Sequence, residues 1–218
     1  MRMAYLMAGS VALLGASAVQ AEAGDVFLRG RAIIVSPNEE SGTIQPTFPN
    51  ERVEVTDSFA PEIDLTYMIS DHIGIEVIAA TTEHEFRGTT GTTATIGELG
   101  STWVLPPTVT LQYHFAPEAR VRPYIGAGVN YTLFYSEDPS SGLENAVGPT
   151  DVSLSDSWGF ALQAGVDIDL NDNLFLNFDV KYIDIDTNAR LDTTAIGTQR
   201  VGVDLNPFVV GIGLGIRL

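Results

Sequence analysis

Large apolar side chains take every second position along eight stretches of this chain. "SWGFALQAGVDIDL" puts Trp158, Phe160, Leu162, Ala164, Val166, Ile168 and Leu170 on one face. Gly159, Ala161, Gln163, Gly165, Asp167 and Asp169 fall on the other. "LFLNFDVKY" sets Leu174, Leu176, Phe178, Val180 and Tyr182 against Phe175, Asn177, Asp179 and Lys181. "RPYIGAGVNYTL" and "TVTLQYHF" repeat the pattern. "FAPEIDLTYM" and "IGIEVIAA" do so as well, with Glu62, Asp64 and Glu76 turned away from Phe59, Ile63, Leu65, Ile73, Ile75 and Val77. "VFLRGRAIIV" opens the series, with Arg29 and Arg31 facing away from Leu28, Ala32 and Ile34, and "NPFVVGIGLGIRL" closes it. A period of two is the signature of a strand. No segment after the leader carries a comparable helical stripe, so an all-β fold of eight strands is predicted.

The links between these strands alternate in length. "SDH", "APEARV" and "NDN" are short turns. The links near 36–57, 82–105, 136–157 and 184–203 are long, rich in Gly, Thr, Pro and acidic residues, and read as unpaired loops. Short turns at one end and long loops at the other characterise an outer-membrane barrel. Alternation alone would also fit a soluble sandwich, whose apolar face is its core. The charges decide between them. Arg29, Arg31, Glu62, Asp64, Glu76, Arg122, Asp167, Asp179, Lys181 and Arg217 all lie on the polar face. The apolar face is nearly free of charge over the ~10 residues that a tilted strand needs to cross a bilayer. In lipid only helices and closed barrels satisfy every backbone group. The apolar face therefore meets lipid, and the charged set forms a candidate network in the lumen. Tyr67, Tyr113 and Phe115 at the turn side, and Tyr135, Trp158 and Tyr182 at the loop side, fit aromatic girdles. An eight-stranded barrel is barely wide enough for its own side chains. Gly211, Gly213 and Gly215 face that interior and leave room for the charged side chains opposite.

The chain has 218 residues, a formal charge of −17, no cysteine and 44% hydrophobic residues. The absence of cysteine excludes disulfides and thiolate metal sites. The negative charge makes nucleic acid an unsuitable partner. The first 21 residues, with Arg2 followed by an apolar run from Met3 to Leu14, read as a signal peptide, cleaved after Ala21 or after Ala23. Residues 22–218 form the expected barrel. Catalysis is not expected. Three histidines are present, and only His84 with Ser101 or Asp151 could converge at one mouth. No HExxH or comparable spacing points to a metal, and no cofactor is expected. The acidic loop residues, among them Glu39, Glu40, Glu51, Glu54, Glu137, Asp138 and Asp151, either share divalent cations with lipopolysaccharide or form a solvated face. Ile96, Leu99, Trp103 and Val104 either form a hydrophobic mouth or pack the loops.

Several stretches resemble the outer membrane protein W family of Gram-negative bacteria. These are "YMISDHIGIEVIAAT" (67–81), "LPPTVTLQYHF" (105–115), "RPYIGAGVNYTLFY" (122–135), "DSWGFALQAGVDIDLNDN" (156–173) and "DVKYIDIDTNA" (179–189). The resemblance covers essentially the whole mature chain. It departs at Leu218, where the family usually ends on an aromatic read by the barrel-insertion machinery. The resemblance implies a cell outer-membrane location and passive uptake of small apolar molecules. The implied route enters from outside, meets a closed lumen and leaves sideways through the wall. Ile78 stands where members with an apolar constriction carry an aliphatic, and Lys181 stands where some of them carry an aromatic. Lys181 thus points to a salt-bridged plug.

On this reading Ile78, Trp103, Leu105 and Phe175 line the path of a monomeric barrel surrounded by outer-membrane lipid and lipopolysaccharide. The lumen charges then either force lateral exit or are simply a polar core. The alternative function is a non-transporting structural or surface-interaction barrel that works through its acidic extracellular loops.

Overall fold

The protein is described from a computed structural model that covers residues 22–38 and 40–218. The leader expected at 1–21 lies outside the described residues, as does Glu39. The eight predicted stretches form the eight strands of a closed antiparallel barrel. They are β1 (Val26–Ser36), β4 (Ser58–Met68), β5 (Ile73–Ala80), β8 (Thr108–His114), β9 (Val121–Pro139), β11 (Ser157–Asp169), β12 (Leu174–Ile183) and β15 (Phe208–Arg217). Each pairs with its neighbour in sequence, and β15 returns to β1 with Leu28 opposite Ile216 and Arg31 opposite Gly213. Closure leaves this band without an edge.

The side chains follow the period. Ile63, Leu65, Leu162, Val180 and Ile212 are exposed on the outer wall, where lipid replaces water as their solvent. Arg29, Asp64, Glu76, Arg122 and Asp167 are wholly buried inside. Near the loop-side rim the rings of Tyr131 and Trp158 lie 4.6 Å apart, and those of Tyr182 and Phe208 lie 5.4 Å apart. Tyr113 and Phe115 meet edge to face at the turn side.

The long links are not unpaired, contrary to expectation. They fold into β2 (Glu40–Ser41), β3 (Val53–Val55), β6 (Thr82–Gly88), β7 (Glu98–Leu105), β10 (Thr150–Leu154), β13 (Asp186–Thr193) and β14 (Gly197–Asp204). Two short helices, α1 (Gly91–Ile96) and α2 (Ser141–Val147), complete them. β3, β6 and β7 pair in series, and β7 continues onto the loop end of β9. β10, β13, β14 and β2 make a second curtain. The physical reason is an inversion of the pattern. In the membrane band the apolar face looks out to lipid. Above it the outer face meets water, so the polar residues turn out and the apolar ones turn in. In β14, Val201 and Val203 are buried while Arg200 and Asp204 are exposed. In β13, Ala189 is buried between exposed Asn188 and Arg190.

Glu51 ties α1 to this extension. Its carboxylate accepts the Thr92 and Thr93 amides at 2.9 and 2.7 Å. Desolvation is the largest single influence and raises its pKa, but the bonds from Thr93 and Thr92 together outweigh it and hold the group below the usual carboxylate range.

Candidate functional site

The lumen is built in layers, beginning at the turn end. Phe27 and Phe175 meet edge to face with ring centroids 5.7 Å apart, and Met68 is buried with them. The Arg122 guanidinium lies 5.4 Å from the Phe175 ring centroid and is ion-paired to Asp169. Arg217 lies over Phe27 and pairs with Asp25 at 3.5 Å.

Above this layer sits a charged plug. Arg29 donates to Asp64 at 3.0 Å, to Asp167 at 2.9 Å and to the Thr66 hydroxyl at 2.6 Å. Arg31 pairs with Glu62 at 2.7 Å, Asp64 at 2.5 Å and Glu76 at 3.2 Å. Lys181 tops the stack, with Nζ 2.9 Å from Glu62 Oε1 and 2.6 Å from Asp179 Oδ1. Neutral side chains add further bonds. Tyr124 and Gln163 donate to Asp179, Asn177 donates to Asp167, and Thr110 donates to Glu76. Buried charges cost several kcal/mol each unless paired, and here each side is held by two or more partners.

The barrel makes room for these side chains with glycine. A Cβ on Gly213 would stand 2.7 Å from the Arg31 Cα and inside contact distance of the Gly30 carbonyl oxygen. A Cβ on Gly215 would enter the Phe175 ring and stand 3.0 Å from the Arg29 stem. The inward glycines of β15 are therefore the floor on which the two arginines and Phe175 lie.

Beyond Lys181 the interior changes character. An apolar cavity of about 100 Å3 continues into the extension. Ile33, Ile78 and Val209 border its lower part, Val104, Phe134 and Ile183 its middle, and Val53, Leu99 and Val201 its upper part. Glu62 and Lys181 form its charged floor. His84 is also on the wall. Its Nδ1 lies 2.7 Å from the Thr56 carbonyl and its Nε2 lies 3.0 Å from the Thr82 hydroxyl. A carbonyl only accepts, so Nδ1 carries the proton and Nε2 accepts from Thr82. Burial holds its pKa below the usual value, against the raising influence of that carbonyl bond and of Asp57. His84 thus engages neither Ser101 nor Asp151.

The predicted residues divide accordingly. Arg29, Arg31, Glu62, Asp64, Glu76, Asp167, Asp179 and Lys181 come together in the plug. Arg122 and Arg217 lie below it with their own partners. Of the four path residues, Ile78 borders the cavity. Trp103 and Leu105 do not. Thr102 and Val104 point inward on β7, so Trp103 and Leu105 face outward, with Trp103 beside Tyr135 at 6.3 Å. Phe175 faces the lumen but at the opposite end, under Arg29 at 5.5 Å, with the plug between it and the cavity. Much of the cavity wall, including Val53, Ile185, Val201 and Val203, comes from links that read as loops. The signal available for part of it was the alternation of Val201, Val203 and Leu205.

The wall beside the cavity is interrupted. The β5–β8 ladder ends where Ile78 faces Thr108, and the β6–β7 ladder begins where Thr82 faces Val104. Both share one register, which places Ala80 opposite Pro106. Prolines at 106 and 107 supply no amide proton, so this interval cannot zip into a normal ladder. The Thr81 hydroxyl spans it, with Oγ1 3.2 Å from the Val104 carbonyl and 2.6 Å from the Tyr135 hydroxyl. Ala80, Thr82, Pro106 and Thr108 all border the cavity.

The sequence profile of the OmpW family matches residues 22–218. Outer membrane protein W of Salmonella typhimurium is 37% identical over 206 residues, covering 94% of this chain and 93% of that protein. Dibenzothiophene metabolism operon protein PahQ of Pseudomonas aeruginosa is 30% identical over 170 residues, covering 77% of this chain and 75% of that protein. Among solved structures, the crystal structure of the outer membrane protein OprG from Pseudomonas aeruginosa superposes with a TM-score of 0.86 at 32% identity, covering 91% of this chain and 98% of that one.

Proposed function

The chain belongs to the OmpW family of outer-membrane barrels, and on that premise we propose that it admits small hydrophobic molecules passively and releases them sideways into the membrane. The observation that carries this reading is an apolar cavity that ends on a salt-bridged floor. An apolar solute gains by leaving water for that cavity, at about 25 cal/mol per Å2 of apolar surface covered. It gains nothing by entering a layer of paired charges. The route onward is the wall between Ala80 and Pro106, where the backbone ladder is broken and the cavity lies directly behind. Lipid on the far side is as apolar as the cavity, so transfer is downhill or level at each step. The name of the relative PahQ refers to the metabolism of dibenzothiophene, an apolar polycyclic, which agrees with a solute of this class. The plug closes the direct path to the turn side and makes the exit lateral.

The test is uptake of a radiolabelled medium-chain apolar tracer by cells that lack their own barrel of this type. Cells carry no protein, this protein, or its Ile78→Asp variant, at matched outer-membrane levels. Uptake faster than in empty cells, and lost in Ile78→Asp, is the expected result. Uptake equal to that of empty cells would end the transport reading.

A further inference from the structure

The floor of the cavity carries more chemistry than an apolar solute uses. Glu62 is only 4% exposed, and its short contacts to Arg31 Nε and Lys181 Nζ both fall on Oε1. Oε2 takes part in no hydrogen bond among the described residues, although Glu62 borders the cavity. Lys181 is 2% exposed and also borders the cavity. Its ammonium group has three N–H donors; one goes to Glu62 Oε1, and the group is ion-paired to Asp179 Oδ1 at 2.6 Å, which leaves at least one donor to spare. The base of an otherwise apolar chamber therefore presents one free carboxylate acceptor beside one free ammonium donor.

We propose that this pair recognises a hydroxyl group, and that the favoured solutes are neutral apolar alcohols and phenols. The inference rests on the uptake reading above and names its solute class. A hydroxyl is both donor and acceptor. It gives its proton to Glu62 Oε2 and accepts from the spare Lys181 N–H, which satisfies both groups at once. A hydrocarbon of the same shape leaves both unpartnered. A carboxylate can only accept, so it meets Lys181 but is repelled by Glu62. The charge behind the floor reinforces that repulsion. The plug holds three cations, Arg29, Arg31 and Lys181, against five carboxylates, Glu62, Asp64, Glu76, Asp167 and Asp179. An ammonium can only donate, so it suits Glu62 but faces Lys181. A chamber of about 100 Å3 is smaller than the ~150 Å3 apolar cavity that accommodates benzene, which limits the solute to one small ring or a short chain.

The experiment uses three probes with one body and different heads: fluorobenzene, 4-fluorophenol and 4-fluorobenzoate. Binding to the full protein in lipid nanodiscs is read by 19F NMR, and empty nanodiscs correct for partition into lipid. The expected order is phenol, then benzene, then benzoate. The phenol should bind about tenfold more tightly than fluorobenzene relative to the empty discs, equivalent to about 1.4 kcal/mol. Glu62→Gln puts an amide at the same place and can present a donor where the free oxygen was. That variant should lose most of the phenol preference and gain affinity for the benzoate. Equal binding of fluorobenzene and 4-fluorophenol to the unaltered protein would overturn the hydroxyl inference while leaving the uptake reading intact. Binding of none of the three above the empty discs would overturn both. If Glu62→Gln fails to fold, the three-probe order on the unaltered protein still decides.

Discussion

Gly213→Ala should loosen the seam that closes the barrel. The added methyl would lie 2.7 Å from both the Cα and the Cγ of Arg31, and within contact distance of the Gly30 carbonyl. The obstruction is backbone as well as side chain, so rotation of one side chain cannot relieve it. β15 would have to move away from β1, across the pairs Arg31–Gly213 and Gly30–Leu214. Overpacking of this kind costs ~1–3 kcal/mol. Gly211→Ala should cost less. Its nearest neighbours, the Ile33 Cγ2 and Arg31 Cδ atoms, lie at 3.1 and 3.3 Å and belong to side chains. Gly30 faces lipid, with nothing within 4 Å of an added Cβ. Gly30→Ala should therefore stabilise by up to ~1 kcal/mol, since glycine in a strand is worth about that much less than alanine. Equilibrium urea unfolding in phospholipid vesicles, followed by tryptophan fluorescence, measures all three. The reasoning is refuted if Gly213→Ala and Gly30→Ala fall within ~0.5 kcal/mol of each other, because the glycine stripe would then have no steric purpose.

Arg31→Met leaves Glu62, Asp64 and Glu76 short of a partner and should destabilise the barrel by ~3–5 kcal/mol in the same unfolding assay, with much of the loss recovered when Glu62→Met is added. His84 is held below its ordinary pKa, so the neutral ring is the form the fold prefers. Its contribution is complete above the unfolded value of ~6.5 and is lost as pH falls through the depressed value. The extension should thus loosen on acidification, read as faster amide exchange in β6 and β3, and His84→Gln should flatten that response. Replacing Pro106 by valine restores the amide donor that faces Ala80 across the gap, whereas Pro107 turns its backbone to Tyr131. Cavity binding should persist in this variant, but tracer uptake should fall severalfold; unchanged uptake would remove the wall beside Pro106 as the exit.

The barrel strands and the plug could be read from the sequence because lipid forces a simple rule. Every outward position must be apolar, so every charge on a strand is an inward charge. Arg29, Arg31, Asp64 and Glu76 follow from that rule without any knowledge of register. The cavity could not be read in the same way. Above the membrane the solvent on the outer face changes from lipid to water, and the same period of two reverses its meaning. Trp103 and Leu105 are large and apolar, yet they lie at the rim where outward still means apolar. Val201 and Val203 are apolar because they point in. No residue on either strand marks where the reversal falls. It is fixed by the height of the rim, which the register sets.

The same register links the closing seam to the function proposed. Arg29 and Arg31 lie on β1 between two neighbours of opposite kind. On one side β4 places Asp64 and Glu62 directly across from them. On the other, β15 places Gly215 and Gly213. The acids supply the charge and the glycines supply the space, so the arginines are driven across the lumen toward Asp167, Asp179 and Asn177 on the far strands. A slip of one residue between β1 and β15 would put Ile212 or Leu214 under an arginine and turn glycines toward lipid. A strand slip carries every side chain to the opposite face. The plug therefore forms only when the barrel closes in this register. The apolar cavity above it has a floor for the same reason, and on the route proposed above a solute that reaches Glu62 and Lys181 leaves through the wall at Pro106.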